Sequence, residues 1–139
     1  MSANIALYQA KLADRPEEWV EGFYVCLGNQ YHYILTGKLD ITGLTSAVQF
    51  EHNRVVPKTI REAIKGAFDK NHRQIFTKDI VRKGFELYCI DWDAEQLCYS
   101  FYTADGVAIS GFNVPTLPFV EVVGNTIDNP DMLMKGLSL

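Results

Sequence analysis

The chain has 139 residues, 47% of them hydrophobic and 22% charged, with a formal net charge of -4. That is the length and balance of one soluble folded domain, which excludes disordered, collagenous and coiled-coil architectures. No run reaches the roughly 18 to 20 apolar residues of a membrane span, and a net negative chain is not built to hold a nucleic-acid backbone by bulk charge.

In chain order, the first fifteen residues are weakly patterned, and Asp14-Arg15-Pro16 breaks what precedes. Residues 1–9 lack the basic start and long apolar run of a secretion signal. From Trp19 to Cys26 and again from Tyr31 to Thr36 the chain is aromatic and β-branched. Gly28-Asn29 between the two runs predicts a β-hairpin. The stretch from Gly37 to Ser46 reads as a loop, and Ala47 to Phe50 and Arg54 to Val56 as short strands. Ile60, Ala63, Ile64 and Ala67 then fall at helical spacing behind Pro57 and around Gly66, which predicts a short helix over 57–66. After the polar turn at Asp69-Lys70-Asn71-His72, strands are expected over 74–82 (interrupted at Lys78-Asp79), 85–92, 97–102, 107–114 and 119–123. A hairpin turn is expected at Asp105-Gly106. Asn129-Pro130-Asp131 has the order N-cap, first-turn proline, acid, and so predicts one helical turn over 131–135.

Short strands about ten residues apart predict a mainly β fold, α+β at the margin. The expected form is a small antiparallel β-barrel, SH3-like or related, with an N-terminal hairpin and a short C-terminal helical turn. The chain reads as one compact domain over 1–139, with a hairpin part at about 5–56 and a barrel part at about 67–134.

Three blocks carry a family resemblance. Residues 69–82, DKNHRQIFTKDIVR, resemble the D-K-N-G-K-x-I-[FY]-x-G-D-I-V block of the YopX-like proteins of phages and prophages. Residues 120–133, VEVVGNTIDNPDML, are similar to that family's closing E-V-I-G-N-I-[YH]-[ED]-N-P-E-L-L, and residues 18–25, EWVEGFYV, to its E-W-V-x-G-[YF]-[LY]-V strand. The likeness covers about residues 7 to 134. The chain departs from the pattern at His72 and Lys78, both of which stand where the family has glycine. Asn71 is expected to take over the left-handed position of the first turn, and Lys78 to mark a different conformation or strain. Over 59–67 the family's own stretch suggests an extended segment instead of a helix. The resemblance implies a small phage or prophage protein, cytoplasmic in the bacterial host, with no family active site to carry over and no cofactor.

The residues themselves agree on the lack of a catalytic motif. Cys26, Cys89 and Cys98 show no C-x-x-C spacing and read as small apolar side chains of a reducing compartment, although a hairpin disulfide between Cys89 and Cys98 is compatible with strand geometry. His32, His52 and His72 lie on separate segments without H-x-x-x-H spacing, so no metal is expected. Cys26 is close to His32 in sequence only, and Asp91 and Asp93 read as turn acids. No nucleophile, base or phosphate loop is expected.

The binding candidates are an aromatic strand face with Tyr88 and Trp92, and a basic segment. Eight basic residues lie between 58 and 83, among them Lys70, Arg73, Lys78 and Arg82, against three acids there. Alternation puts Tyr88, Ile90 and Trp92 on one face. The function expected is a non-enzymatic accessory protein that acts through protein contacts with a host or phage protein and through self-association into a homo-oligomer. The alternative, less favoured, is a nucleic-acid-binding barrel using the 58–83 segment.

Overall fold

The computed structural model describes residues 7–40, 47–112, 117 and 119–137. The expected strand over 107–114 and the loop over 37–46 therefore fall partly outside the described residues. The chain separates into two compact units, Met1–Glu62 and Ala63–Leu139.

In the first unit, β1 (Tyr8–Lys11), β2 (Trp19–Leu27), β3 (Tyr31–Asp40) and β4 (Ala47–Arg54) are antiparallel neighbours in the order β4-β3-β2-β1. The 19–36 hairpin forms as expected, with Gln30 N donating to Leu27 O and positive φ at both Gly28 (62°) and Asn29 (59°). Such a turn matches the twist of the strands it joins. β2 changes partner along its length: residues 19–22 pair with β1 and residues 23–27 with β3. Gly22 sits at the changeover, where a Cβ would lie 2.1 Å from the Leu35 carbonyl oxygen, so no other residue fits. Ala10, Ile34 and Val55 form the core, with Tyr8, Val20, Tyr24 and Ile60 packed against it.

The helix expected over 57–66 is absent. Pro57–Thr59 makes one 3-10 turn, after which β5 runs as a strand over Arg61–Phe68. Helical spacing misled because the strand is bulged: its register with β6 (Gln74–Phe76) shifts between Ala63 and Phe68, and Gly66 stands at φ 78°. The bulge puts Ile64 and Ala67, three apart, both in the core. Gln74 fills the gap, its Nε2 lying 2.8, 3.0 and 2.9 Å from the carbonyls of Ile64, Ala67 and Ile75. The extended segment suggested by the family pattern is what forms.

The second unit is built on β7 (Asp79–Lys83), β8 (Glu86–Asp93), β9 (Cys98–Tyr102), β10 (Ala108–Phe112) and β11 (Val120–Asn125), followed by α1 (Met132–Leu137). The β5–β6 hairpin shares a core with this sheet: Ile64, Ala67 and Ile75 meet Val81, Ile90, Phe101, Leu117, Val120 and Val122.

The expected barrel does not form. There are two antiparallel sheets, ordered β4-β3-β2-β1-β5-β6 and β10-β9-β8-β7-β11, and neither closes on itself. Closure requires the two outer strands of a sheet to pair. Here β11 has its outer edge occupied, since Lys70 N donates to Val120 O and Val122 N donates to Asp69 Oδ2. At the other end, β10 has a bulge between Ala108 and Ser110 that disrupts its line of pairing groups. Six short strands after Gln74 suit a barrel in number, but β6 belongs with β5 in the other sheet.

His72 and Lys78 both stand in the left-handed region, at φ 62° and 71°, while Asn71 does not, so the turn keeps its glycine-like conformation on a histidine. Lys78 is held there by its backbone: its N–H donates to Ile90 O at 2.7 Å and its carbonyl accepts from Thr126 N at 2.9 Å. A left-handed residue with a side chain costs on the order of 1 kcal/mol relative to glycine. His72→Gly and Lys78→Gly are each expected to raise stability by about 1 kcal/mol, read as a higher urea midpoint at unchanged slope.

Candidate functional site

The turn that opens the DKN block is organised by one carboxylate. Asp69 is 1% exposed. Its Oδ1 accepts from Asn71 N at 2.9 Å and Arg73 N at 2.8 Å, and its Oδ2 accepts from Val122 N at 2.9 Å. Burial pushes this carboxyl up. The N–H donors of Val122, Arg73 and Asn71, helped by the Arg73 charge, outweigh burial and hold it below its ordinary value. At the next turn, buried Asp79 accepts from Phe76 N at 2.8 Å through Oδ2. At the end of β11, Asn125 Oδ1 accepts from Ile127 N and Asp128 N, and its amide donates to Asp128. Asn129 Oδ1 turns back to accept from Asn125 N at 3.3 Å, so its side chain holds the strand end and not the expected helix cap; α1 begins only at Met132. A Cβ on Gly124 would meet that Asn129 oxygen at 2.7 Å, which is why the G-N-x-x-D-N-P block opens on glycine. In the EWV block, Trp19 lies under two cations, Arg61 at 4.6 Å and Lys11 at 5.4 Å, and Arg61 also donates to Gln9 Oε1. The family blocks therefore supply turn and packing chemistry.

The structure brings the basic candidates together only in part. Lys70 and Arg82 converge on Glu121, at 3.3 and 3.9 Å, so each lies beside an opposite charge. Arg73 is exposed on its turn and Lys78 is half-buried on the next one, each on its own loop. Of the other basic residues in the segment, Lys58 and Arg61 belong to the first unit, and Arg61 is buried. Lys83 lies over the rings of Phe101 and Phe119, at 5.3 and 5.5 Å.

The aromatic candidates lie on β8 and have different roles. Tyr88 packs on the core, edge-on to Phe101 at 5.9 Å, with its hydroxyl donating to Glu86. Trp92 is 47% exposed and meets Tyr99 edge-on at 5.0 Å across the β8–β9 pair. The neighbouring charges are negative: Asp91 and Asp93 flank Trp92, and Glu95 follows in the turn. Burial first, then the charges of Asp93, Asp91, Cys98 and Glu95, raise the Tyr102 hydroxyl nearby.

Sequence reasoning missed the tip of this hairpin. Asp93 Oδ1 accepts from Glu95 N and Gln96 N, and the loop then closes through Leu97 at φ 54°. Leu97 is 73% exposed. A large apolar residue in the left-handed region, turned to solvent, breaks two local preferences at once. Its only sequence signal is the Asp-x-Glu-x-Leu loop itself, which resembles any polar turn.

The three cysteines are free, and Cys89 and Cys98 are not bridged. Cys89 stands opposite Tyr102 and Cys98 opposite Asp93, four residues apart in register, beyond the reach of a disulfide. Burial, with Asp91 and Asp79 adding to it, pushes the Cys89 thiol up to about 12. Among the described residues there is no group of three or more His, Cys, Asp or Glu side chains able to hold a metal, and no helix is long and apolar enough to cross a membrane.

A family model described as YopX protein matches residues 13–134. No curated protein matches the chain.

Replacing Asp69 by Asn puts an N–H donor against a buried N–H donor, so at least one of the three bonds is lost. The expected cost is about 2–4 kcal/mol by urea unfolding at pH 7. Because the folded carboxyl is held below its unfolded value, its contribution is complete above the unfolded value of about 4 and is lost as pH falls through the folded one. The stability gap between wild type and Asp69→Asn should therefore narrow on going from pH 5 towards pH 2.

Proposed function

Because the chain belongs to the YopX family, we propose that it is a non-enzymatic accessory protein of a phage or prophage that works through protein contacts, self-association among them, with the chain acting as one domain in the host cytoplasm. The observation behind this reading is Leu97. Its exposure and positive φ give the monomer nothing, and such locally unfavourable residues collect where a surface meets a partner. Trp92 stands at the same end of the β8–β9 hairpin, and an exposed aromatic beside an exposed aliphatic is the usual composition of an interface anchor. Of the six binding candidates, Trp92 takes this role. Tyr88 supports the face from the core, and Lys70, Arg73, Lys78 and Arg82 are left as peripheral contacts.

The nucleic-acid alternative has less behind it. Lys70 and Arg82 already lie beside Glu121, and the exposed Trp92 is flanked by acids, which repel phosphate.

The test uses the tip. Leu97→Gly relieves the left-handed strain and removes the apolar side chain together. The variant should be more stable by about 1 kcal/mol and yet associate more weakly in sedimentation velocity at micromolar concentration, with Trp92→Ala acting in the same direction. A wild-type chain that stays monomeric across that range, or a Leu97→Gly variant that associates as strongly as wild type, overturns self-association through this surface.

A further inference from the structure

In the first unit, the β2–β3 hairpin sets Cys26 directly opposite His32. Tyr24, two residues before Cys26 on β2, joins them. Its hydroxyl is 2.5 Å from His32 Nδ1, the two rings are stacked with centroids 5.8 Å apart and an interplanar angle of 2°, and the Cys26 thiol, across from His32, lies near enough to add to burial in raising the Tyr24 hydroxyl. Cys26 is exposed. Exposed thiol, phenol and imidazole thus form one line, with the phenol in the middle.

We propose that Cys26 is a reactive thiol that exchanges with small disulfides, served by Tyr24 and His32 as a proton relay. The thiol proton passes to the Tyr24 oxygen as the Tyr24 proton passes to His32 Nδ1, leaving a thiolate and an imidazolium. The thiolate then attacks one sulfur of the incoming disulfide. A new S–S bond forms to Cys26, the old S–S bond breaks, and the second sulfur leaves with the electron pair as a thiolate, so the disulfide is the only oxidant needed. An imidazole that takes up the thiol proton as attack begins supplies the thiolate, which is the attacking species.

The surroundings favour this arrangement. Tyr24 packs on the core of its unit and meets the Tyr8 ring of β1 at a 48° tilt with centroids 5.4 Å apart, so its hydroxyl is fixed in place. Among the described residues, Tyr8 and, behind it, Glu62 of β5 are ionisable groups on the side of the relay. Burial and then the Glu62 charge raise the Tyr8 hydroxyl, which therefore stays protonated and does not compete for the imidazole proton. Burial and then the Cys26 thiol raise Tyr24 itself, so it acts as a conduit and carries no lasting charge. Cys89 and Cys98 serve as internal controls: both are half-buried, and the Cys89 thiol is pushed up to about 12.

The test is the reaction of the full chain with 5,5′-dithiobis(2-nitrobenzoate), followed by release of the aromatic thiolate. One thiol per chain should react in a fast phase, and Cys26→Ser should abolish that phase. In Tyr24→Phe, which keeps the ring stack, and in His32→Gln, the fast rate at pH 7 should fall at least about tenfold. The ratio of the wild-type rate to that of either variant should be largest near pH 7 and shrink towards about one near pH 10, where hydroxide removes the thiol proton without the relay. A purely structural role for Tyr24 and His32 would not reshape that profile. Equal rates and profiles in wild type and Tyr24→Phe, or a fast phase that survives Cys26→Ser, would overturn the proposal.

Discussion

A β-strand at the end of an open sheet has backbone donors that must find partners, and in the second unit Asp69 supplies one. Its carboxylate is taken out of water, which is costly, and three backbone N–H groups make it worthwhile. Two of those bonds fold the 69–73 turn, and the third reaches Val122 on β11. With Lys70 N on Val120 O, this lays the end of β5 along β11 and brings Ile64, Ala67 and Ile75 over Val81, Val120 and Val122. The same chemistry recurs at Asp79 and Asn125, so the turns of this unit are held by side-chain acceptors working on backbone donors.

This accounts for the family pattern in physical terms. Asp69, Asp79, Asn125 and Asn129 accept backbone hydrogen bonds, Gly22 and Gly124 leave room for a carbonyl and an amide oxygen, and Trp19 lies beneath Arg61 and Lys11. None of these roles involves a reacting substrate. His72 and Lys78 adopt the left-handed conformation that glycine takes without strain, so the fold fixes the backbone first and tolerates the residue.

Much of the strand order was legible because turn chemistry is local. Gly28-Asn29 and Asp105-Gly106 marked hairpins that form, the latter with Thr103 N donating to Val107 O around it and Gly106 at φ 81°. β1 was not legible, since Tyr8–Lys11 is too short to show a period, and the helix over 57–66 was an artefact of the Gly66 bulge. The barrel failed for a non-local reason, as nothing in the residues of β11 announces that Asp69, some fifty positions earlier, will cover its edge. The candidate surface was half legible. Alternation grouped Tyr88, Ile90 and Trp92 on one face and the flanking acids were plain in the sequence, but the pairing of Trp92 with Tyr99 and the exposure of Leu97 depend on the register and the hairpin tip. Cys26 and His32 looked adjacent in sequence only, although a turn centred on Asn29 puts them face to face.

The two surfaces left over from packing, the Trp92–Leu97 tip in one unit and the Cys26–Tyr24–His32 line in the other, are separate features, and neither depends on the other. Both presuppose a fold held by its turns. The most direct measurement of that premise is amide hydrogen exchange at Val122 in wild type and in Asp69→Asn. The account expects slow exchange in wild type and a marked, local acceleration at Val122 in the variant, under conditions where the β8–β9 amides remain protected. An unchanged Val122 rate in the variant would show that Asp69 does not hold the edge of β11, and would contradict the account.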